Sequence, residues 1–168
     1  NASQHIQKIS LELGGNAPFL VFEDADLDAA VEGAMAAKFR NAGQTCVCTN
    51  RFLVQSSVVN AFSEKLAAAM NAELTVGNGM EEGVQMGPLV ADRRLPVMQG
   101  LVDDAVANGA TLMTGGQRMG NQGYFYEPTV LKDVPENAKI MNDEPFGPVA
   151  PLASFTTEDD VIERANKV

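Results

Sequence analysis

Several features that mark particular classes of protein are scarce in this sequence. It has one histidine, two cysteines, and 12 lysine and arginine residues against 22 acidic residues, with a net charge of −10. No basic run could neutralise phosphates, which argues against nucleic-acid binding. No apolar stretch approaches the roughly 20 residues that a membrane-spanning helix needs, and the first residues lack the pattern of a signal peptide. We therefore expect a cytoplasmic protein that does not associate with membranes.

The composition is that of a globular domain. Of 168 residues, 45% are hydrophobic and 20% charged, and this length can bury one core. Two cysteines so close in sequence cannot staple a secreted fold, because the loop between them restricts the unfolded chain only locally. Their proximity favours a chemical role.

Alternating strand and helix patterns predict the fold class. Polar and apolar residues alternate from Lys8 to Leu13, which predicts a half-buried strand, and the apolar run at 19–22 predicts a strand covered on both faces. Apolar residues at helical spacing then predict a helix that extends to about Arg40, with Asp24 or Asp26 as its N-cap. The same signals predict three further helices: one capped by Ser57, one that ends at Asn108 and one that begins at Thr157. They also predict strands at 51–55, 111–113, 129–131 and 149–155.

This order predicts an α/β fold: an open, mostly parallel sheet with helices on both faces. In such sheets ligands bind beyond the carboxyl ends of strands. The loops around Gly14, Cys46 and Phe146 are therefore the predicted binding region.

Cys46 is a candidate nucleophile. It follows a Gly-Gln-Thr turn, in which the small glycine lets the backbone bend and expose the sulfur, although an isolated cysteine is more often a buried structural residue. The only histidine, His5, lies near one end and is expected to be a solvated surface residue, so a cysteine protease is not predicted. Glu12, before the glycine pair at 14–15, is the carboxylate that could act as a base; the alternative is a solvent-facing strand residue.

Three segments resemble signature motifs of the aldehyde dehydrogenase superfamily. Residues 11–18 (LELGGNAP) resemble its glutamate motif, residues 39–46 (FRNAGQTC) its cysteine motif, and residues 144–148 (EPFGP) its third signature. The resemblance covers essentially all 168 residues, but family subunits are much longer. It implies a Rossmann-like catalytic domain at 1–168, within a partial subunit that lacks the N-terminal cofactor-binding half and the C-terminal end.

The resemblance also implies roles for individual residues. Cys46 would attack the aldehyde and form a thioester, and Glu12 would activate the water that hydrolyses it. The cofactor would be NAD or NADP: Leu13 would pack near the nicotinamide, Glu144 would accept hydrogen bonds from its ribose, and Phe146 would contact the ring side. No metal is implied, and the parent subunit would form a homo-oligomer, a dimer or a tetramer.

Arg40 and the segment 38–48 bear on the substrate. Arg40 ends the helix before Cys46, where a guanidinium could clamp a carboxylate or compensate the negative end of the helix dipole. The segment resembles the succinate-semialdehyde dehydrogenase branch, which favours the clamp and implies succinate semialdehyde, with glutarate semialdehyde or another ω-oxo acid as alternatives. Pro145 departs from that branch, which often has threonine there.

Cys48 follows Cys46 closely, and two alternatives remain for it. An extended backbone would point both sulfurs to the same side, where a strained disulfide could act as an oxidative switch. Otherwise Cys48 is a small residue that packs beneath the loop.

Two functional alternatives also remain open. A CoA-acylating semialdehyde dehydrogenase resolves its thioester with a thiol and typically lacks the glutamate base, so Glu12 favours hydrolysis. The chain could also be a non-catalytic fragment or divergent copy, and by itself it is expected to be inactive.

Overall fold

The computed structural model describes residues 2–168 and contains a five-stranded sheet of order β1-β2-β5-β4-β3. The β1-β2, β2-β5 and β4-β5 pairs are parallel, and only β3 runs antiparallel to its neighbour β4. The mostly parallel sheet is therefore confirmed. The strands are β1 (Ala17–Val21), β2 (Thr49–Gln55), β3 (Thr111–Thr114), β4 (Thr129–Lys132) and β5 (Val149–Phe155).

Helices cover both faces of the sheet, as predicted. They are α1 (Leu27–Phe39), α2 (Val59–Glu73), α3 (Arg94–Ala107), α4 (Lys139–Asn142) and α5 (Glu158–Ala165). The apolar sides of α1 and α2 pack with Phe52 and Val54 of β2, whereas α3, α4 and α5 pack with Leu53. Successive side chains of a strand point to opposite faces, so β2 contributes to both cores. Within the described residues, no helix has the length and apolar character needed to cross a bilayer.

Helix starts follow the capping residues at two of three predicted positions. Asp26 accepts hydrogen bonds from the Asp28 and Ala29 amides at 3.0 and 3.2 Å, and Thr157 accepts one from the Asp160 amide at 3.2 Å. Ser57 is not a cap, and that prediction was wrong. Its hydroxyl donates to Glu23 Oε2 at 2.9 Å, and α2 begins at Val59.

The predicted strand at Lys8–Leu13 is absent, because residues 6–16 have no regular secondary structure. Ile9, Leu11 and Leu13 are 62%, 71% and 71% exposed. A strand is stabilised by hydrogen bonds to a neighbouring strand, and none of the described strands lies beside this segment. The alternation of polar and apolar residues was therefore not sufficient to form a strand in this segment.

The run at 19–22 forms a strand, but it is not covered on both faces. β1 is an edge strand, and Leu20 is 39% exposed. Pro18, which lacks an amide hydrogen, is compatible with an edge position.

Candidate active site

The three motif segments meet at one edge of the sheet. Gly15 donates its amide hydrogen to Glu144 Oε1 at 3.2 Å. A Cβ added to Gly15 would lie 3.4 Å from the Cys46 carbonyl oxygen, and one added to Gly14 would lie 2.5 Å from Glu144 Oε2. The glycine pair therefore allows the glutamate-motif segment to approach both Cys46 and Glu144.

This convergence was predicted, but the predicted edge of the sheet was wrong. The loops at 14–15, 46–48 and 144–148 enter the amino ends of β1, β2 and β5, which are parallel neighbours. The prediction took Gly14 as the end of a strand at 8–13. Because that strand is not formed, Gly14 instead precedes β1.

The chain reverses between α1 and Cys46 through an unusual turn. Asn41, Ala42 and Gly43 all have left-handed backbone conformations, with φ of 53°, 55° and 68°. Non-glycine residues in this conformation normally occur singly, so Asn41 and Ala42 in succession concentrate strain before Cys46, whereas Gly43 adopts it without a Cβ penalty. Gln44 stabilises the turn. Its backbone amide donates to the Asn41 carbonyl at 3.1 Å, and its side-chain Oε1 accepts from the Val90 backbone amide at 2.8 Å.

The two cysteines have opposite environments. Cys46 is exposed, whereas Cys48 is buried with its sulfur 3.4 to 3.5 Å from the carbonyl oxygens of Ala37, Lys38 and Thr49. The backbone between the cysteines is not extended, because the Cys48 amide donates to the Thr45 carbonyl at 3.1 Å in a turn. The expected extended geometry was therefore wrong, and Cys48 packs beneath the loop.

Glu12 and Leu13 lie in the exposed segment before the glycine pair. Both side chains are exposed, and among residues 2–168 Glu12 has no hydrogen-bond or ion-pair partner. Their roles as general base and as nicotinamide contact stay predictions. His5 is exposed, as expected for a surface residue.

Glu144 and Phe146 lie in a turn that is stabilised by hydrogen bonds from Arg94. Glu144 is half-buried and held by Gly15, so it is not a freely exposed carboxylate. Phe146 is half-buried with φ of 46°, a conformation that is costly for an aromatic residue. The Arg94 guanidinium donates to the carbonyls of Pro145 and Phe146. Nothing in the sequence pattern indicated Arg94, because it lies on a helix far from the motif.

Arg40 is exposed at the C-cap of α1. It lines a shallow depression together with Met35, Glu73 and Gln85. Within the described part of the chain it forms no ion pair. The guanidinium is therefore accessible to an anion, and the carboxylate clamp stays a prediction.

Lys38 is the first residue of the segment 38–48, and the sequence predicts no role for it. It is fully buried and donates to Asn50 Oδ1 at 2.9 Å. Burial lowers the pKa of Lys38 to about 8, while the nearby Cys48 acts in the opposite direction. The helical period could have found this burial, since Lys38 follows Val31 and Ala34 along the buried side of α1.

Comparison with known proteins agrees with this geometry. The model of the Aldehyde dehydrogenase family matches residues 1–168. The chain belongs to the aldehyde dehydrogenase family. It is 56% identical to a succinate-semialdehyde dehydrogenase of Paenarthrobacter nicotinovorans, over 99% of this chain and 37% of that protein. It is 53% identical to a glutarate-semialdehyde dehydrogenase of Pseudomonas putida, over 98% of this chain and 34% of that protein.

An aldehyde dehydrogenase structure shows the same fold. The succinate-semialdehyde dehydrogenase of Burkholderia pseudomallei superposes with a TM-score of 0.94 at 51% identity, over 99% of this chain and 34% of that one. The chain thus spans about a third of the length of the aldehyde dehydrogenases that it matches.

Proposed function

We propose that the subunit containing this chain oxidises an aldehyde that carries a carboxylate to the corresponding acid, with NAD or NADP. The main support is that Gly15 donates a hydrogen bond to Glu144 and leaves no room for more than a Cβ beside the Cys46 carbonyl, so that the three motifs of the family lie together. Relatives named for succinate and glutarate semialdehydes support the substrate class. Succinate semialdehyde is our first choice, and another ω-oxo acid is the alternative.

In this proposal Cys46 is the nucleophile. Its exposed thiolate adds to the aldehyde carbon, and the oxygen that becomes negative accepts a hydrogen bond from the Cys46 amide. Among residues 2–168 that amide donates to no other acceptor, so it is available. Loss of hydride leaves a thioester. Glu12 takes a proton from a water that adds to the thioester carbon, and the C–S bond then breaks to release the carboxylic acid and return the Cys46 thiolate.

Bound NAD or NADP would supply the acceptor for this hydride. The residues present fit its nicotinamide end, because Glu144 Oε2 borders the gap left by the absent Cβ of Gly14 while Oε1 is held by Gly15. A carboxylate held in this way can accept ribose hydroxyl hydrogens. Leu13 and Phe146 would supply the apolar contacts.

The proposal that the substrate carries a carboxylate depends on Arg40. Its test is a steady-state assay of the full-length subunit with succinate semialdehyde, glutarate semialdehyde and uncharged butanal. Arg40→Met should lower kcat/KM for the charged substrates by about 10-fold to 100-fold, since a charge-assisted hydrogen bond is lost. The values for butanal should stay unchanged.

Arg93→Met, which removes an exposed arginine at the start of α3, is the matched control and should leave all values unchanged. Equal losses on charged and uncharged aldehydes would remove the argument for the clamp.

Substitution of Glu12 distinguishes hydrolysis of the thioester from its transfer to CoA. Glu12→Gln should preserve a first burst of reduced cofactor, because thioester formation does not need the base, and should slow later turnover by about 100-fold or more. Wild-type formation of acyl-CoA in preference to the free acid would favour the CoA-acylating alternative.

We propose that the isolated chain is inactive, because Glu12 and Leu13 have no described neighbours that fix their positions. Calorimetric titration of the isolated chain with NAD and with NADP should give no measurable heat of binding. Binding in the micromolar range would contradict this proposal.

A further inference from the structure

Lys38 is a buried charged residue that the proposed reaction does not use. Its side chain is 0% exposed, and its Nζ donates to Asn50 Oδ1 at 2.9 Å. A buried ammonium has lost its hydration, which is costly unless nearby polar groups compensate it. A methionine of similar length would fill the same space without that cost, so packing alone does not account for a lysine here.

Asn50 connects Lys38 to the candidate active site. It is 1% exposed at the start of β2, and its Nδ2 donates to the Gly15 carbonyl at 3.3 Å. Gly15 in turn donates its amide hydrogen to Glu144 Oε1 at 3.2 Å. Three hydrogen bonds in series therefore join Lys38, Asn50, Gly15 and Glu144.

Gly15 is held at both of its backbone polar groups, one by Asn50 and one by Glu144. It also lies against the Cys46 carbonyl, where an added Cβ would be 3.4 Å away. A shift of Gly15 would therefore change its separation from the Cys46 turn and displace Glu144. Misplacement of about 1 Å in an active site can lower the rate by about 100-fold.

We propose that Lys38 and Asn50 are positioning residues, which hold Gly15, and through it Glu144 and the segment carrying Glu12, against the Cys46 turn. This inference rests on the proposed function, because it assigns this series of hydrogen bonds to the same site. The two residues lie on α1 and β2, which flank Cys46 in sequence. They therefore connect the elements on either side of the nucleophile to the segment that bears its base.

The test compares Lys38→Met and Asn50→Asp in the full-length subunit. Lys38→Met removes the ammonium and keeps the side-chain length. Asn50→Asp keeps an acceptor for Lys38 but replaces the donor that binds the Gly15 carbonyl. Each variant should raise the dissociation constant for the cofactor, measured by calorimetry, and lower kcat by about 10-fold to 100-fold.

The double variant should lose little more cofactor affinity and kcat than the more impaired of the two single variants, because the effects of residues that act in series are not additive. Lys65→Met, which removes an exposed lysine paired with Asp28, is the matched control and should retain wild-type values. Thermal unfolding of every variant separates loss of fold from loss of position.

Folded variants that keep the wild-type cofactor affinity and kcat would overturn the inference. If both variants fail to fold while Lys65→Met folds, the pair serves stability alone and the inference is likewise overturned. A wild-type subunit that oxidises no aldehyde would instead overturn the proposed function, and the cofactor affinities would still test the positioning role.

Discussion

The two cysteines differ in accessibility although they are close in sequence. Cys46 is exposed and Cys48 is buried, and thiols react with alkylating agents only where the reagent can reach them. Brief treatment of the folded chain with iodoacetamide should therefore modify Cys46 alone, and denaturation should make both thiols reactive. Mass spectrometry of the intact and digested chain measures this. A Cys46→Ser chain should stay unlabelled while folded, and equal labelling of Cys48 in the folded wild type would contradict the structure.

The burial of Lys38 predicts a pH dependence of stability. The pKa is about 8 in the folded chain and 10.5 for a free lysine, so between these values the unfolded chain binds more protons. The free energy of unfolding should therefore rise as pH increases from about 8 to about 10.5. Below pH 8 the full cost of the buried charge is present, about 3 kcal/mol.

Urea unfolding of wild type and Lys38→Met at several pH values checks this dependence. Subtracting the variant removes the contribution of groups that both chains share. The difference between the two unfolding free energies should change by about 3 kcal/mol across this window and stay constant below it. A difference that is independent of pH would show that Lys38 titrates normally.

The burial or the capping role of a single residue was predictable from sequence where one local pattern determined it. The period of α1 places Lys38 on its buried side, and the Asp26 cap needs only neighbouring amides. Asn50 and Arg94 were not predictable, because their partners Gly15 and Phe146 come from distant segments. Such contacts depend on how β1, β2 and β5 pair, and no short pattern contains that information.

At the scale of elements, the turn after α1 depends on Gly43. Its φ is 68°, and an added Cβ would collide with the Gly147 carbonyl. Gly43→Ala should lower the free energy of unfolding by at least about 2 kcal/mol, from left-handed strain plus the collision. Urea unfolding of the isolated chain measures the loss.

Gly100 provides the matched control for this substitution. It lies in α3, and an added Cβ would meet no atom within 4 Å. Gly100→Ala should stabilise the chain by about 0.5–1 kcal/mol, because glycine loses more conformational freedom in a helix. Similar losses for both alanine variants would argue against the described turn.

Elements that bury a clear apolar side were predicted well. The helices with periodic apolar residues formed within a few residues of their expected positions, since each packs against the sheet, and the strand at 149–155 forms the centre of that sheet. Burial of both faces was wrong for β1, because an apolar run does not reveal whether its strand lies at an edge. The turn at 41–43 was not predicted, since its left-handed residues include Ala42, which gives no local signal.

At the scale of the whole molecule, the segment before β1 is the clearest sign of missing contacts. Ile9, Leu11 and Leu13 alternate as in a strand yet are largely exposed, and the chain spans about a third of the length of its curated relatives. We expect this segment to pair as a strand only in the full-length subunit. Pairing would bury the apolar side chains and fix Glu12 beside the Cys46 turn.

Hydrogen exchange tests this expectation directly. Amides at 9–13 should exchange rapidly in the isolated chain, because they make no described backbone hydrogen bonds, and on the order of 100-fold more slowly in the full-length subunit. Amides of β2, which lies between two strands, should be protected in both and serve as the internal control. Equally rapid exchange at 9–13 in both proteins would mean that the alternation does not encode a strand.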